Sequence, residues 1–244
     1  MTKIYEASNH LLIVAGYDDP VVHSHTATQI IISMSSELDV EINKERVLCQ
    51  GLVIPSNMAH QIHTHGSEAL VFLYDSTTDV AKQVKDIQVI SAIACERIIT
   101  AYNVFQRSET SYEYKRLNTC LLEHLNVIEE QSDVMDERIS EAMQYIRINL
   151  PGKLLCQEVA DVVCLSQSRF SHLFRAQVGM TFASYVIYQR ILYVYKEVLS
   201  GKSITEATIE AGFSSSTHFA DVHRRVFGLS ISNVTRECSF LKIE

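Results

Sequence analysis

Imidazoles are the most chemically suggestive groups in this chain. His23 and His25 stand two residues apart, so on a strand both rings would face one side, and neutral imidazole ligates zinc, nickel, copper and iron. His60, His63 and His65 add three more rings in the same half. Metal binding, or metal-assisted catalysis, is the chemistry such a cluster supports. No other catalytic signature accompanies it: the sequence has no nucleotide-binding glycine loop, no nucleophile elbow and no second motif around a carboxylate pair. The six cysteines (Cys49, Cys95, Cys120, Cys156, Cys164, Cys238) form no C-x-x-C pair and read as reduced, structural residues.

A second set of spacings lies towards the C-terminus, where the chain repeats itself. Residues 155–166 overlie 203–214 at an offset of 48, and Arg169-Phe170 to Gly179 overlie His218-Phe219 to Gly228 at an offset of 49, so the second copy carries one extra turn residue. Cys156, Val159, Ala160 and Val163 fall at i, i+3, i+4, i+7, as do Ile204, Ala207, Thr208 and Ala211. Phe170, Leu173 and Phe174 open the next helix. Short helix, tight turn and second helix make a helix-turn-helix, present twice. Ser203 and Glu206 form a capping box at the start of the second unit, whereas Leu155 at the equivalent place has no oxygen to offer. Gly212 occupies the turn position where positive φ is expected and Cys164 takes that place in the first unit, which leaves the first turn the less rigid.

Other elements must position these groups. Alternating or apolar runs predict short strands at Leu11–Ala15, Gln29–Met34, Leu38–Ile42, Val47-Leu48, Leu52–Ile54 and Leu70–Tyr74, with Asn43-Lys44-Glu45 as a hairpin turn. This pattern points to a small β-barrel or sandwich. Helical spacing covers about 86–101 and 111–128, where the helices either form a dimer interface or pack on the barrel. The polar stretch Glu129–Asp133 reads as a junction. From Asp136 onward the chain reads as all helix: Glu137 to Asn149, stopped by Leu150-Pro151-Gly152, then the first unit, a connecting helix from Phe182 to Leu199, and the second unit. Tyr185, Tyr188, Tyr193 and Tyr195 on the connector read as packing residues rather than a stacking platform for bases.

With 244 residues and 47% hydrophobic content, the chain is long enough for two cores. Its net charge of −8 is uneven: residues 1–132 hold 9 Lys and Arg against 17 Asp and Glu, while residues 133–244 hold 12 against 12. An acidic half joined to a neutral half implies different partners for each. The first residues show no signal-peptide pattern and no apolar run reaches membrane-spanning length, so the expected location is cytoplasmic, with no membrane partner.

Residues from about Glu137 to Arg236 resemble the DNA-binding domain of AraC/XylS-type transcription regulators. The resemblance rests on Ala160 to Ser166, Phe170-Ser171-His172-Leu173-Phe174-Arg175, Val178-Gly179-Met180-Thr181, Ser203-Ile204, Ala211-Gly212-Phe213-Ser214 and Val226-Phe227-Gly228-Leu229. It implies that each unit sends its second helix into a major groove of double-stranded promoter DNA. Carried over by position, Gln167, Ser168, Ser171 and His172 face base edges in the first unit, with Arg169 and Arg175 suited to phosphate. Ser216, Thr217, Ala220 and Asp221 do so in the second, with His218, Arg224 and Arg225 nearby. Three departures stand out: Asp221 where a basic or amide side chain is usual, His223 in place of a core phenylalanine, and an ending, Gly228 to Arg236, without proline or tyrosine.

Val22 to Gln29 and Gly51 to His60 resemble the two motifs of a cupin barrel, which implies His23, His25, Gln29 and His60 as ligands of one metal. Sensor barrels in the regulator family also use the cavity for an organic effector, so a divalent metal and a small molecule both stand as the effector and no cofactor is fixed. The expected architecture is multi-domain α+β: a cupin-like β-barrel over 1–84, a helical linker over 85–132 that either dimerises or packs on the barrel, and an all-α domain with two helix-turn-helix units over 133–244. The expected function is a ligand-responsive transcriptional regulator, an activator that contacts RNA polymerase and works as a homodimer, and not an enzyme. The rival is a cupin-type metal-dependent enzyme with an appended DNA-binding domain.

Overall fold

A computed structural model describes residues 2–7, 9–76, 78–128, 135–150, 152–227 and 238–242. The N-terminal part is built from strands β1 (Thr2–Glu6), β2 (His10–His23), β3 (Thr28–Ser33), β4 (Leu38–Ile42), β5 (Glu45–Cys49), β6 (Gly51–Ile54), β7 (His60–Tyr74) and β8 (Gln88–Ile90). Helices α1 (Asp79–Gln83), α2 (Ala92–Ser108) and α3 (Ser111–His124) accompany them. The predicted hairpin turn is present, with Asn43 and Lys44 both at positive φ between β4 and β5.

The sheet runs β8-β6-β3-β7-β2-β1 and is antiparallel along that path, with the β4-β5 hairpin attached to the first half of β7. Alternation sorts its side chains. Leu11, Ile13, Ile31, Leu52, Ile54, Val71 and Leu73 are buried together with Leu38, Val40, Ile42 and Ile62. Leu12, Val14, Ile30, Ile32, Val53, Leu70, Phe72 and Tyr74 point the other way, onto Ile98, Tyr102 and Phe105 of α2 and Leu117 and Leu121 of α3. Full burial of such side chains stabilises by roughly 1.5–3 kcal/mol each, which holds the two helices on the sheet. Gly51 is where α2 comes closest, since a Cβ there would lie 2.6 Å from Cys95 Sγ.

The expected closed barrel is not formed. The strand path has two free ends, because β8 runs for only three residues before Ser91, whose hydroxyl accepts from Ala94 N, turns the chain into α2. The other end carries a strand that the sequence reading missed. β9 (Cys238–Lys242) lies parallel to β1, so the C-terminal half is not all helix.

The C-terminal part contains α4 (Glu137–Asn149), α5 (Cys156–Val162), α6 (Gln167–Val178), α7 (Phe182–Leu199), α8 (Ile204–Glu210) and α9 (Ser216–Phe227). Helix α4, the connector α7 and both predicted units appear where the periodicity placed them. The turn residues 163–166 and 211–215 carry the one-residue difference between the copies. The junction at Glu129–Asp133, the Pro151 stop and the ending Gly228 to Arg236 lie outside the described residues. No helix among those described is long and apolar enough to cross a membrane.

Candidate nucleic-acid interface and histidine centre

Each unit's geometry follows from its turn. Ser203 Oγ accepts from Glu206 N at 3.2 Å while Glu206 Oε2 accepts from Ser203 N at 3.2 Å, the reciprocal box expected at α8. In the first unit only half of it exists: Glu158 reaches back to Leu155 N at 3.2 Å, and no side chain of Leu155 answers. Gly212 sits at φ 84 and Cys164 at φ 56, so the first turn holds a non-glycine residue in the left-handed region, a strain of order 1–2 kcal/mol. Ser166 caps α6 through Arg169 N at 3.3 Å, and Ser215 caps α9 through His218 N at 3.0 Å.

On α6, Gln167, Ser168, Arg169, Ser171, His172 and Arg175 are all exposed, while Phe170, Phe174 and Val178 are buried. On α9, Thr217, His218, Ala220, Asp221, Arg224 and Arg225 are exposed and Ser216 is half-buried. His218 has a structural bond as well: its Nδ1 lies 3.0 Å from Ser214 Oγ and its ring meets Phe213 edge to face, so it braces the second turn. Near α6, Arg138 pairs with Asp136 at 2.6 Å and holds that carboxyl down at about 2, with Arg169 adding to the same effect. Arg169 is therefore exposed on α6 within electrostatic reach of the Asp136 carboxylate. Arg175 has none within ion-pair distance among the described contacts.

Three residues of α7 outside the predicted DNA-contact set tie the units to one another and to the sheet. Arg190 of α7 donates through Nη1 to Gly212 O at 3.2 Å and through Nη2 to Gly152 O at 3.1 Å, tying the second unit's turn to the loop before the first unit. Tyr188 donates its single hydroxyl hydrogen between Ala7 O (2.9 Å) and His10 O (2.7 Å), fastening α7 to the sheet. Lys196 adds an ion pair to the buried Glu6 at 3.1 Å. Nothing in their spacing signals these contacts, because each joins segments far apart in sequence.

In the N-terminal part the structure gathers His23, His25 and His60, whose candidate ligand atoms all lie within 4.8 Å of one another. His23 and His60 face each other across the β2/β7 pairing. His25 does not share the strand: β2 ends at His23, and the loop that follows brings His25 in, with Asn57 N donating to its carbonyl at 2.7 Å. His23 and His25 are thus brought together by the loop after β2 and not by strand alternation. His63 and His65 stand apart from this cluster, with His65 exposed near Asp39.

Burial, then the neighbouring His60 and His23 rings, holds the His25 pKa down at about 3, so its imidazole is neutral. A neutral ring has one hydrogen on its nitrogens. His25 Nδ1 lies 3.0 Å from Ala27 O and can donate there, while Nε2 lies 2.8 Å from the Gln29 side-chain amide. His60 Nδ1 likewise lies 2.8 Å from Met58 O. Carbonyl acceptors behind the ring nitrogens orient imidazoles in metal sites. With the Gln29 amide turned so that its NH2 donates to His25 Nε2, both groups are satisfied, and release of that bond frees Nε2 to face the other two rings.

Where the β2–β3 loop meets α7 and α9 lies a cavity of about 200 Å³, lined among others by Asn9, Thr26, Asp75, Ser184, Tyr188 and Arg225.

A family model described as a helix-turn-helix domain matches residues 159–237. The probable transcriptional regulator LumQ of Photobacterium leiognathi is 27% identical over 227 residues, covering 85% of this chain and 89% of the relative. The arabinose operon regulatory protein of Escherichia coli K12 is 36% identical over 126 residues, covering 50% of this chain and 43% of that protein, so the match spans less than half of the arabinose regulator. Among solved structures, ToxT from Vibrio cholerae O395 is similar with a TM-score of 0.51 at 10% identity, covering 91% of this chain and 95% of that one. Unsaturated fatty acid bound ToxT from Vibrio cholerae strain SCE256 gives 0.50 at 12% identity, with 92% and 94% covered. At such identities the likeness is one of fold. These relatives are regulators, not enzymes.

Proposed function

We propose that this chain is an AraC/XylS-type DNA-binding transcriptional regulator and that it answers to a divalent transition metal held by His23, His25, His60 and Gln29. The observation that carries the metal reading is the gathering of His23, His25 and His60, whose candidate ligand atoms lie within 4.8 Å of one another, with the Gln29 amide 2.8 Å from His25 Nε2. Nitrogen donors with one amide oxygen and no thiolate suit zinc, nickel, cobalt or iron(II) rather than copper(I). A metal supplies here a fixed positive charge that neutral imidazoles and an amide otherwise lack. Inside the sheet the apolar side chains of β2, β3, β4 and β7 are fully buried against one another, which supports an ion in preference to a bulky organic ligand in that part of the fold.

A second reading rests on the cavity at the sheet–helix junction. Its lining mixes Arg225, Asn9, Thr26 and Ser184 with Leu73 and Ile187, which favours a small polar organic effector there. ToxT is known with an unsaturated fatty acid bound.

The wider proposal is a cytoplasmic homodimer with a cupin-like sensor that activates transcription through contact with RNA polymerase. Exposed Ile93, Val104 and Tyr112 on α2 and α3 give the dimer an apolar surface. The test is a footprint on the DNA upstream of this protein's own gene, with and without zinc or nickel, beside metal analysis of the purified protein. Protection of two patches about one helical turn apart supports both units binding. In the same assay Arg175→Ala is expected to weaken operator and random DNA alike and to lower the salt slope by about 1. Metal-free protein whose footprint is indifferent to added metal would retire the metal reading and leave the organic effector.

A further inference from the structure

The loop that carries His25 also caps the second recognition helix. Thr26 N donates to Arg225 O at 2.7 Å and Ala27 N donates to Val226 O at 3.0 Å. The last carbonyls of an α-helix have no partner within it, so these two amides, supplied by the sheet, satisfy the end of α9. Ala27 is fully buried, and its own carbonyl faces His25 Nδ1 at 3.0 Å. Three consecutive residues therefore connect the imidazole cluster to the DNA-reading helix: His25 faces the cluster, and Thr26 and Ala27 hold α9. Helix α7 is fastened to the sheet elsewhere, through Tyr188 and the Lys196–Glu6 pair, so the α9 cap can change while the rest of the junction holds.

We propose that His25-Thr26-Ala27 transmits metal occupancy to the second helix-turn-helix unit by loosening this cap, an inference that rests on the metal reading above. Nitrogen ligands about a tetrahedral zinc lie ~3.4 Å apart, given metal–nitrogen bonds of about 2.1 Å. The candidate ligand atoms of His23, His25 and His60 spread over distances up to 4.8 Å, so bringing them onto one ion turns and shifts the rings. His25 is coupled at its back to Ala27 O, and a shift of that peptide moves the amides away from Arg225 O and Val226 O. Bonds of 2.7 and 3.0 Å are already near their best length, so displacement weakens them. The freed unit then adjusts to its groove, and metal and DNA strengthen each other's binding by the same factor.

The experiment is hydrogen exchange read by mass spectrometry on the full chain, with and without zinc(II) or nickel(II), following peptides that span residues 24–28 and 220–227. Metal uptake is measured on the same samples by equilibrium dialysis. Uptake with faster exchange in both peptides, together with DNA affinity raised about fivefold or more by metal, is the expected result. Ala27→Pro, which lacks the capping amide, should take up metal but bind DNA with an affinity that metal no longer changes. Uptake with unchanged or slower exchange at 220–227 overturns the coupling and leaves the metal reading intact, whereas absence of uptake overturns the metal reading itself. The exchange measurement needs no variant, so the outcome does not depend on Ala27→Pro folding.

Discussion

The Tyr195 hydroxyl and the His223 imidazole are bonded to each other in the core between α7 and α9, both rings almost fully buried and set edge to face. This accounts for the histidine that stands where the regulator family places phenylalanine: α7 supplies a hydroxyl to its ring. Tyr195→Phe is expected to cost about 1–3 kcal/mol by removing that bond in an apolar setting. His223→Phe in the same background should recover part of the loss, since an apolar pair leaves no polar group to satisfy. Urea unfolding of the single and double variants gives the coupling, and strict additivity would mean that the two side chains do not act as a pair.

Local patterns in the sequence carried a large part of this structure. The two units, the capping box at Ser203 and the positive φ at Gly212 and Cys164 were legible because each depends on residues within a few positions of one another. What escaped depends on distant segments. β9 pairs with β1 across the length of the chain, Arg190 bridges two loops 60 residues apart, and the barrel stays open because a cap at Ser91 ends β8 early. The histidine cluster lies between these cases: its members could be named from the motifs, but not the loop geometry that brings His25 in or the helix end that the same loop holds.

His10 offers a test of acid stability. Its ring is buried between Asn9 Oδ1 (2.8 Å) and the Tyr114 hydroxyl (2.7 Å) and stacks on Tyr74, and burial lowers its pKa to about 3. The folded value lies below the unfolded one, about 6.5, so the unfolded chain binds the proton first. Stability is complete above pH ~6.5 and falls as the pH drops towards 3, by about 1.4 kcal/mol per pH unit for this one group. His10→Gln should reduce the steepness of the loss between pH 6 and 4.5 by about one proton, whatever it does to stability at pH 7. An unchanged slope in denaturant titrations across that range would contradict the assignment.

Asp221 is exposed on the outer side of α9, among residues that resemble the DNA-reading set. A carboxylate there either accepts from a cytosine amine or repels phosphate at every sequence. Arg224 and Arg225 follow Asp221 at i+3 and i+4, one turn along the helix, and α9 has no acidic residue in its first turn. Repulsion is the expectation. Asp221→Asn should then tighten binding to all DNA, most strongly at low salt, because ions screen the charge that it removes. Competition against a randomised half-site pool decides between the two, since weakening confined to sites with one particular base pair would show direct reading instead.

Arg190 bridges the second unit's turn and the loop ahead of the first unit, and it is expected to set the spacing of the two units. Its guanidinium donates to the Gly212 carbonyl in the second turn and to the Gly152 carbonyl ahead of α5, in a half-buried position where burial lowers its pKa from the ordinary arginine value. A planar fork with two outward nitrogens reaches both carbonyls at once, whereas a lysine ammonium reaches one of them. A Cβ at Gly212 would lie 3.1 Å from the guanidinium carbon, so Arg190 and the glycine turn are also packed against each other. Arg190→Lys is therefore expected to keep the charge and most of the stability, losing about 1–2 kcal/mol, yet to loosen the angle between the units. The readout is the footprint: the variant should retain protection at one patch and lose it at the other, with non-specific affinity little changed. If Arg190→Lys protects both patches as the wild type does, the bridge contributes to stability alone and the spacing of the units is set by the packing of α7.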